Sequence, residues 1–462
     1  MKSPIPDYLT RVLENARPFD AGEPACYIDV LAKADTTRMA VALATVDGSV
    51  YSVGDDNIEF SMQSISKPFV YALAIQDQGL AKVLEKVGVE PSGDAFNRLS
   101  LEAGTNRPMN PMINAGAVAT HALVNSPDGT VEGRVNRILD MMSRLAGRQL
   151  HVDEEVYEAE FKDANRNMGL AYMLKAAGMI TCDPQEAVKG YVKQCSVNVN
   201  VRDLAMMAAT LANGGVHPVS GERIIPQDSV RQVLSVLTTC GMYNSSGDWI
   251  SNVGIPAKSG VSGGIIGALP GQLGLAVFSP RLDERGNSVR GVAMCKQLSH
   301  DMGFHMMDVS QIGRATVRSW TATIAGGTKQ SKGCQQEIAI FELRGAVRFS
   351  GAERLTRAII KEIRPPSEKR DGTDGHPHFC AVLFSFRNTY SVNDVARRLI
   401  HENIRRLAST TNVVVVDPNN VLKMSEEPET GPNPVHVVKT EAEARNYIGG
   451  IGCQVVSRGD TL

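Results

Sequence analysis

From Ser259 to Pro280 the chain runs without one charged side chain. That is long enough for a helix to cross a bilayer. Six glycines and Pro270 near its middle argue against a helix of any kind. The segment reads instead as two short strands, Gly264 to Leu269 and Leu273 to Phe278, joined by a Pro270-Gly271-Gln272 turn. A second strand pair is expected near the start, where Val41 to Val46 and Ser49 to Tyr51 flank Asp47-Gly48. Between the pairs the periodicity is helical. Pro68 to Ile75 is apolar nearly all round, the mark of a buried helix. Val201 to Ala212 predicts a helix stopped at Gly214-Gly215. Strands at both ends with helices between suit an antiparallel sheet flanked by helices.

The style changes after about residue 312. Gly326 to Gly333 is small and polar, with no apolar period, and reads as linker. Beyond it come an Ile338–Leu343 strand, a Glu353–Ile363 helix, a Phe379–Ser385 strand, a Val392–Ala408 helix and a Val413–Val416 strand. Pro365 to Pro377 would be a charged loop within this small α/β unit. At 462 residues the chain exceeds one ordinary core. The expected division is a catalytic domain over 1–312, a linker over 313–335 and a second domain over 336–455.

With 48 basic and 50 acidic residues there is no basic field for nucleic acid. The eight cysteines include no pair closer than Cys182 and Cys195, so zinc-ribbon spacings are excluded, and the thiols read as reduced and mostly buried. The nine histidines show no H-E-x-x-H, and no glycine-rich phosphate loop opens a helix. No metal and no nucleotide cofactor are expected. Met1 to Asp20 carries charges throughout and no signal-peptide core, so a cytoplasmic location without membrane contact is expected.

The chemistry concentrates at Gln63-Ser64-Ile65-Ser66-Lys67-Pro68. Residues three apart share a helical face, so Lys67 can reach the Ser64 hydroxyl. A lysine acts as base only when burial or positive neighbours lower its pKa. Alone, the pattern is equally a serine cap beside a solvated lysine. Lys258-Ser259-Gly260-Val261 adds weight. Serine β-lactamases and penicillin-binding enzymes pair S-x-x-K with K-T-G on an edge strand. Their S-D-N element is not evident here, which argues against a β-lactam substrate.

Over residues 20–310 the chain resembles the serine-dependent glutaminases. The matching segments are Ala25-Cys26-Tyr27-Ile28, Gln63 to Pro68, Glu90-Pro91-Ser92-Gly93, Asn110 to Ala117, Ala212 to Gly215, Cys240-Gly241-Met242-Tyr243, Pro256 to Val261 with Gly263-Gly264, and Gly286-Asn287-Ser288. Asp29 stands where the family has proline, and Asp163-Ala164-Asn165-Arg166-Asn167 where it has Gly-Asp-Arg-Asn. The resemblance implies a β-lactamase-like α/β (α+β) fold, an antiparallel sheet flanked by helices with a helical subdomain. It implies hydrolysis of L-glutamine to L-glutamate and ammonia. Ser64 would form a γ-glutamyl ester, with Lys67 taking its proton and the N–H groups of Ser64 and Val261 forming an oxyanion hole. Tyr27, Tyr191 and Tyr243 would line the pocket, Tyr27 and Tyr243 as candidate proton relays. Glu160 would bind the substrate ammonium, and Asn114 and Asn167 its carboxylate or amide ends. Enzymes similar to this one are dimers or tetramers, so a homodimer or homotetramer is expected.

Taken singly, Asn114 could mark a turn, Tyr191 a core position and Glu160 a surface charge. The family order favours function for all three. The second domain resembles a STAS domain in its strand–helix order and in Leu343 to Phe349. Where such domains carry a phosphorylated loop, this chain has Tyr390-Ser391-Val392-Asn393-Asp394, with Ser391 expected as the cap of the following helix. Two other functions stand beside the glutaminase reading: a penicillin-binding or β-lactamase-type hydrolase, and a catalytically dead signalling protein.

Overall fold

The computed structural model describes residues 3–93, 95–126, 128–309, 316–326, 336–363, 379–424, 433, 435–450 and 453–455. These divide into two compact units, the first made of Tyr8–His300 with Phe304–Met307. Its strands are β1 (Ala40–Thr45), β2 (Val50–Gly54), the short β3 (Phe60–Ser61) and β4 (Asn198–Val199), then β5 (Ala257–Ser259), β6 (Gly264–Leu269) and β7 (Leu273–Phe278). Five of them form one antiparallel sheet in the order β2-β1-β7-β6-β5, and β3 pairs with β4. The strands from the two ends of the unit therefore meet, β1 against β7 with Ala42 opposite Ala276. The uncharged stretch is explained by burial: every residue of β6 and β7 is buried.

The helix Val201–Ala212 packs on this sheet. Asn200 caps it by accepting from the Arg202 and Asp203 N–H groups, and Asp203 returns a bond to the Asn200 N–H. Its close approach depends on Gly274 of β7, where any Cβ would lie 2.2 Å from the Ala209 nitrogen. The helix Lys67–Gln78 is buried from Lys67 through Ile75, which accounts for its apolar circumference. A satellite core of Ala117, Val118, Ala171, Leu174, Val188 and Tyr191 joins the helices Asn114–Leu123, Asn165–Ala176 and Pro184–Cys195 into a helical subdomain.

The second unit is built on β8 (Thr316–Gly326), β9 (Gln336–Val347), β10 (Phe379–Val392), β11 (Asn412–Val416), β12 (Val435–Val438) and β13 (Cys453–Val455). The sheet order is β12-β11-β10-β9-β8-β13, with β9 to β12 parallel and the β8 contacts antiparallel. The helices Phe349–Glu362 and Asp394–Ala408 make the crossovers. Three expectations are corrected. Residues 316–326, read as linker, are a strand paired with β9 from Thr316↔Arg344 to Ile324↔Gln336; 327–335, and the loop Pro365 to Pro377, lie outside the described residues. Ser391 is not a helix cap: it belongs to β10, whose pairing with β9 continues through three register shifts to Val392, and Asn393 caps the helix by accepting from the Ala396 N–H. Of the six cysteines whose side chains are described, none is paired, and only Cys195, Cys240 and Cys295 are buried.

Candidate active site

Ser64 sits on a 3-10 turn, Gln63–Ser66, that leads into the helix beginning at Lys67. Ser64 stands three residues before Lys67, the first residue of that helix, a spacing that sets the two on one side of the turn. Both are buried, Lys67 almost completely. The Lys67 ammonium end donates to Met112 O at 3.2 Å and to Asn114 Oδ1 at 2.8 Å. Burial pulls its pKa down to about 8, against the opposing pull of Cys195 and Glu160.

Asn114 is a hub. Its Oδ1 accepts from Lys67 and from the Tyr191 hydroxyl at 3.3 Å, while its Nδ2 donates to Asn167 Oδ1 at 3.1 Å. Glu160 lies on the other side of the turn, where its Oε2 accepts from Gln63 Nε2 at 3.2 Å. Its carboxylate end is the buried part of a half-buried residue. That burial raises its pKa to about 7, although the Gln63 bond and the Lys67 charge act to lower it.

Lys258 on the edge strand β5 closes the opposite wall. Its Nζ donates to Ser259 O at 2.7 Å and lies 4.2 Å from the centroid of the Tyr243 ring. Burial and the Lys67 charge hold its pKa well below the ordinary lysine range. Tyr243 packs on Phe96 with ring centroids 4.6 Å apart. The Tyr243 hydroxyl is buried without a well-formed hydrogen bond, yet Ser64 is near enough to oppose the rise that burial gives its pKa. Val261 is buried just past β5. A cavity of about 290 Å³ lies beside Tyr243, walled also by Pro91, Phe96 and Met112; Ser64, Lys67 and Glu160 do not line it.

Tyr27 differs from the other site residues. It is 62 % exposed, so the ring forms no part of the buried wall. Only its hydroxyl end is turned inward, where burial, Tyr243 and Glu160 raise its pKa. Lys67, Asn167 and Tyr191 meet at Asn114, Ser64 lies beside Tyr243, and Glu160 meets Gln63, the residue before Ser64. Sequence reasoning missed Gln63, Phe96 and the Met112 carbonyl. Gln63 had a signal, since it opens the serine motif; Phe96 had none. Gln63 and Tyr243, both at φ 50°, are two of five non-glycine residues with positive φ among those described. Such strain concentrates at functional sites. No cluster of potential metal ligands occurs among the described residues, and no described helix is long and apolar enough to cross a membrane.

A serine, a lysine of lowered pKa and a buried carboxylate, converging beside the edge strand of a helix-flanked antiparallel sheet, are the equipment of an amidohydrolase. Comparison with known proteins narrows that class. The Glutaminase family model matches residues 22–307. A glutaminase of Corynebacterium glutamicum is 46% identical over 420 residues, 91% of this chain and 95% of its own length. One from Microcystis aeruginosa is 44% identical over 317 residues, 69% of this chain and 93% of its own. The solved structure of Mglu in its glutamate form aligns with a TM-score of 0.65 at 41% identity, covering 91% of this chain and all of that one. The chain belongs to the Glutaminase family, and the reaction it catalyses is hydrolysis of L-glutamine to L-glutamate. The readings as a β-lactam hydrolase or a dead signalling domain are set aside by this membership.

Proposed function

We propose that Ser64 is the nucleophile and Lys67 its base. The observation that carries this is the hydrogen bonding of Lys67. A neutral amine has two N–H groups and one lone pair. Met112 O and Asn114 Oδ1 take both N–H groups, which leaves the lone pair for the Ser64 proton. Ser64 Oγ attacks the side-chain amide carbon of glutamine, and the oxyanion is held by the N–H groups of Ser64 and Val261. The C–N bond breaks, and the departing nitrogen takes a proton from Lys67 and leaves as ammonia. Water then attacks the γ-glutamyl ester, releases glutamate and restores Ser64. Tyr243, stacked under Lys258 and close to Ser64, relays protons in both halves, and Tyr27 presents its hydroxyl from the rim. Glu160 pairs with the substrate ammonium. Asn167 Nδ2 donates to the carboxylate, since Asn114 occupies its carbonyl side. Tyr191 holds Asn114 in place.

The second unit reads as a STAS-like domain serving assembly or regulation, supported by its parallel β9–β12 core with helical crossovers. A cytoplasmic homodimer or homotetramer completes the reading, supported by six unpaired cysteines among the described residues and by the habits of similar enzymes. The mechanism is tested by acid-quenching the enzyme with glutamine and mapping the modified peptide by mass spectrometry. A glutamyl ester on Ser64 is expected; an ester elsewhere, or none under burst conditions, counts against it.

A further inference from the structure

Behind the nucleophile turn runs a line of buried polar side chains that the reaction steps do not use. His121, wholly buried, places Nδ1 2.9 Å from Gln194 Oε1. Gln194 Nε2 donates to Ser66 Oγ at 3.1 Å, and Ser66 Oγ donates to Gln63 O at 2.8 Å. Gln63 Nε2 donates to Glu160 Oε2. A carboxamide oxygen only accepts, so His121 carries its proton on Nδ1 and leaves Nε2 bare. Burial holds the ring neutral, with its pKa pulled down to about 3. Along this line the donors point one way, from His121 towards the carboxylate, with side contacts from Gln63 Nε2 to Ser61 Oγ at 3.4 Å and between Ser66 Oγ and Cys195 Sγ at 3.9 Å.

The line is costly to maintain. His121 Nε2 is buried without a partner, against Gly190, where any Cβ would come within 2.2 Å. Gln63 sits at φ 50°, a conformation that survives only where its surroundings over-determine it. The Ser66 hydroxyl restrains the Gln63 carbonyl, and Gln194, bonded to His121, restrains Ser66. Gln63 itself faces two ways: its backbone precedes Ser64, and its carboxamide orients Glu160.

We propose that His121, Gln194 and Ser66 are positioning residues that hold Gln63 in its left-handed conformation, so that one residue sets both the nucleophile and the carboxylate that receives the substrate ammonium. This rests on the roles assigned above to Ser64 and Glu160.

The test compares kcat and KM for glutamine in the full chain carrying Ser66→Ala, His121→Leu or His121→Asn, with folding checked by circular dichroism and melting. Ser66→Ala and His121→Leu should each lower kcat/KM by about ten- to a hundredfold, through both a lower kcat and a higher KM. His121→Asn keeps a donor near the Nδ1 position and should recover most of the loss, which a role in packing alone would not produce. Folded Ser66→Ala enzyme with both constants near wild type overturns the proposal. A fall in kcat with KM unchanged overturns the coupling to Glu160. Equal damage from His121→Leu and His121→Asn overturns the donor line. If the His121 variants do not fold, Ser66→Ala decides alone. Ser64→Ala is measured alongside: activity there defeats the underlying mechanism, whereas an inactive Ser64→Ala beside an unimpaired Ser66→Ala defeats only the positioning line.

Discussion

The candidate site and the second unit bury polar groups in opposite ways. In the second unit, Glu342 accepts from Arg344 Nε and Nη2 at 3.0 Å each and from Asn388 Nδ2 at 2.9 Å. Asp417 accepts the N–H groups of Val421 and Leu422, at 2.9 Å each. Glu402, between Arg405 and Arg406, has its pKa drawn down to about 2. These charges are matched, and matched groups hold a scaffold together. In the first unit the buried carboxylates away from the site are matched in the same way, Asp203 by Arg148 and Asp77 by Arg137, but the groups at the candidate site are mismatched. Two lysines are pushed towards neutrality, a glutamate is pushed towards protonation, and the Tyr243 hydroxyl lacks a partner. Mismatch costs stability, and it is retained where a ligand or a reacting atom completes the set. Chemistry is thus located by electrostatic incompleteness rather than by the number of polar residues.

The sharpest way to break this comparison is to remove the nucleophile. Ser64→Ala should cut kcat by at least about 10³-fold while glutamine still binds, as isothermal titration would show. Turnover near wild type would mean that another residue attacks. Lys67→Arg comes next. Guanidinium stays protonated at every working pH and cannot act as base. A loss of about 10²–10⁴-fold in kcat is expected, measured by ammonia release. Comparable kcat would transfer the role of base to another residue, with Tyr243 foremost.

The pH profile sharpens the comparison further. Glu160 must be ionised to pair with an ammonium, and its pKa is raised to about 7. Lys67 must be neutral, and its pKa is lowered to about 8. Both working forms are lost as pH falls, so kcat/KM should decline on the acidic side through that window. The two groups feel each other, so the limb belongs to the pair. Its slope should approach about two decades per pH unit below 7 and fall to about one in Glu160→Gln, which removes one titration. A flat profile from pH 6 to 8 would show that neither group titrates where burial places it.

What the sequence revealed follows the range of each signal. Ser64 and Lys67 are three residues apart, so spacing made them candidates, and Lys258-Ser259-Gly260 with the family resemblance raised them above a helix cap. The β6–β7 hairpin was equally local. Asn114 is bonded to Asn167 and Tyr191 across 53 and 77 positions, and Glu160 to Gln63 across 97. No periodicity encodes such distances, and only resemblance to a family could bring them together. The line from His121 to Gln63 was invisible for the same reason. Ser391 misled because Ser and Asn both cap helices and lie two positions apart, so only the extent of strand pairing separates them. β8 was hidden by Gly326-Gly327 at its end, although Val317, Trp320 and Ile324 carry a strand signal.

That last misreading changes where the chain should be cut to ask whether chemistry needs the second unit. Every proposed catalytic group lies between Tyr27 and Val261, and the family match ends at residue 307. A fragment ending at 325 would keep nearly all of β8 but lose β9, its partner over nine residue pairs. Such a strand exposes a row of unpaired N–H and C=O groups and invites edge-to-edge association. A fragment ending at 309 carries no orphan strand. The smallest effect is therefore expected for residues 1–309: a folded protein by circular dichroism, with kcat for glutamine within about threefold of the full chain, on the order of 0.7 kcal/mol. Residues 1–325 should show the same kcat per folded molecule but a greater tendency to associate in sedimentation. A folded 1–309 fragment that does not hydrolyse glutamine would place part of the catalytic machinery in the second unit, and the contrast between matched scaffold and mismatched site would no longer divide the chain where the sequence changes style.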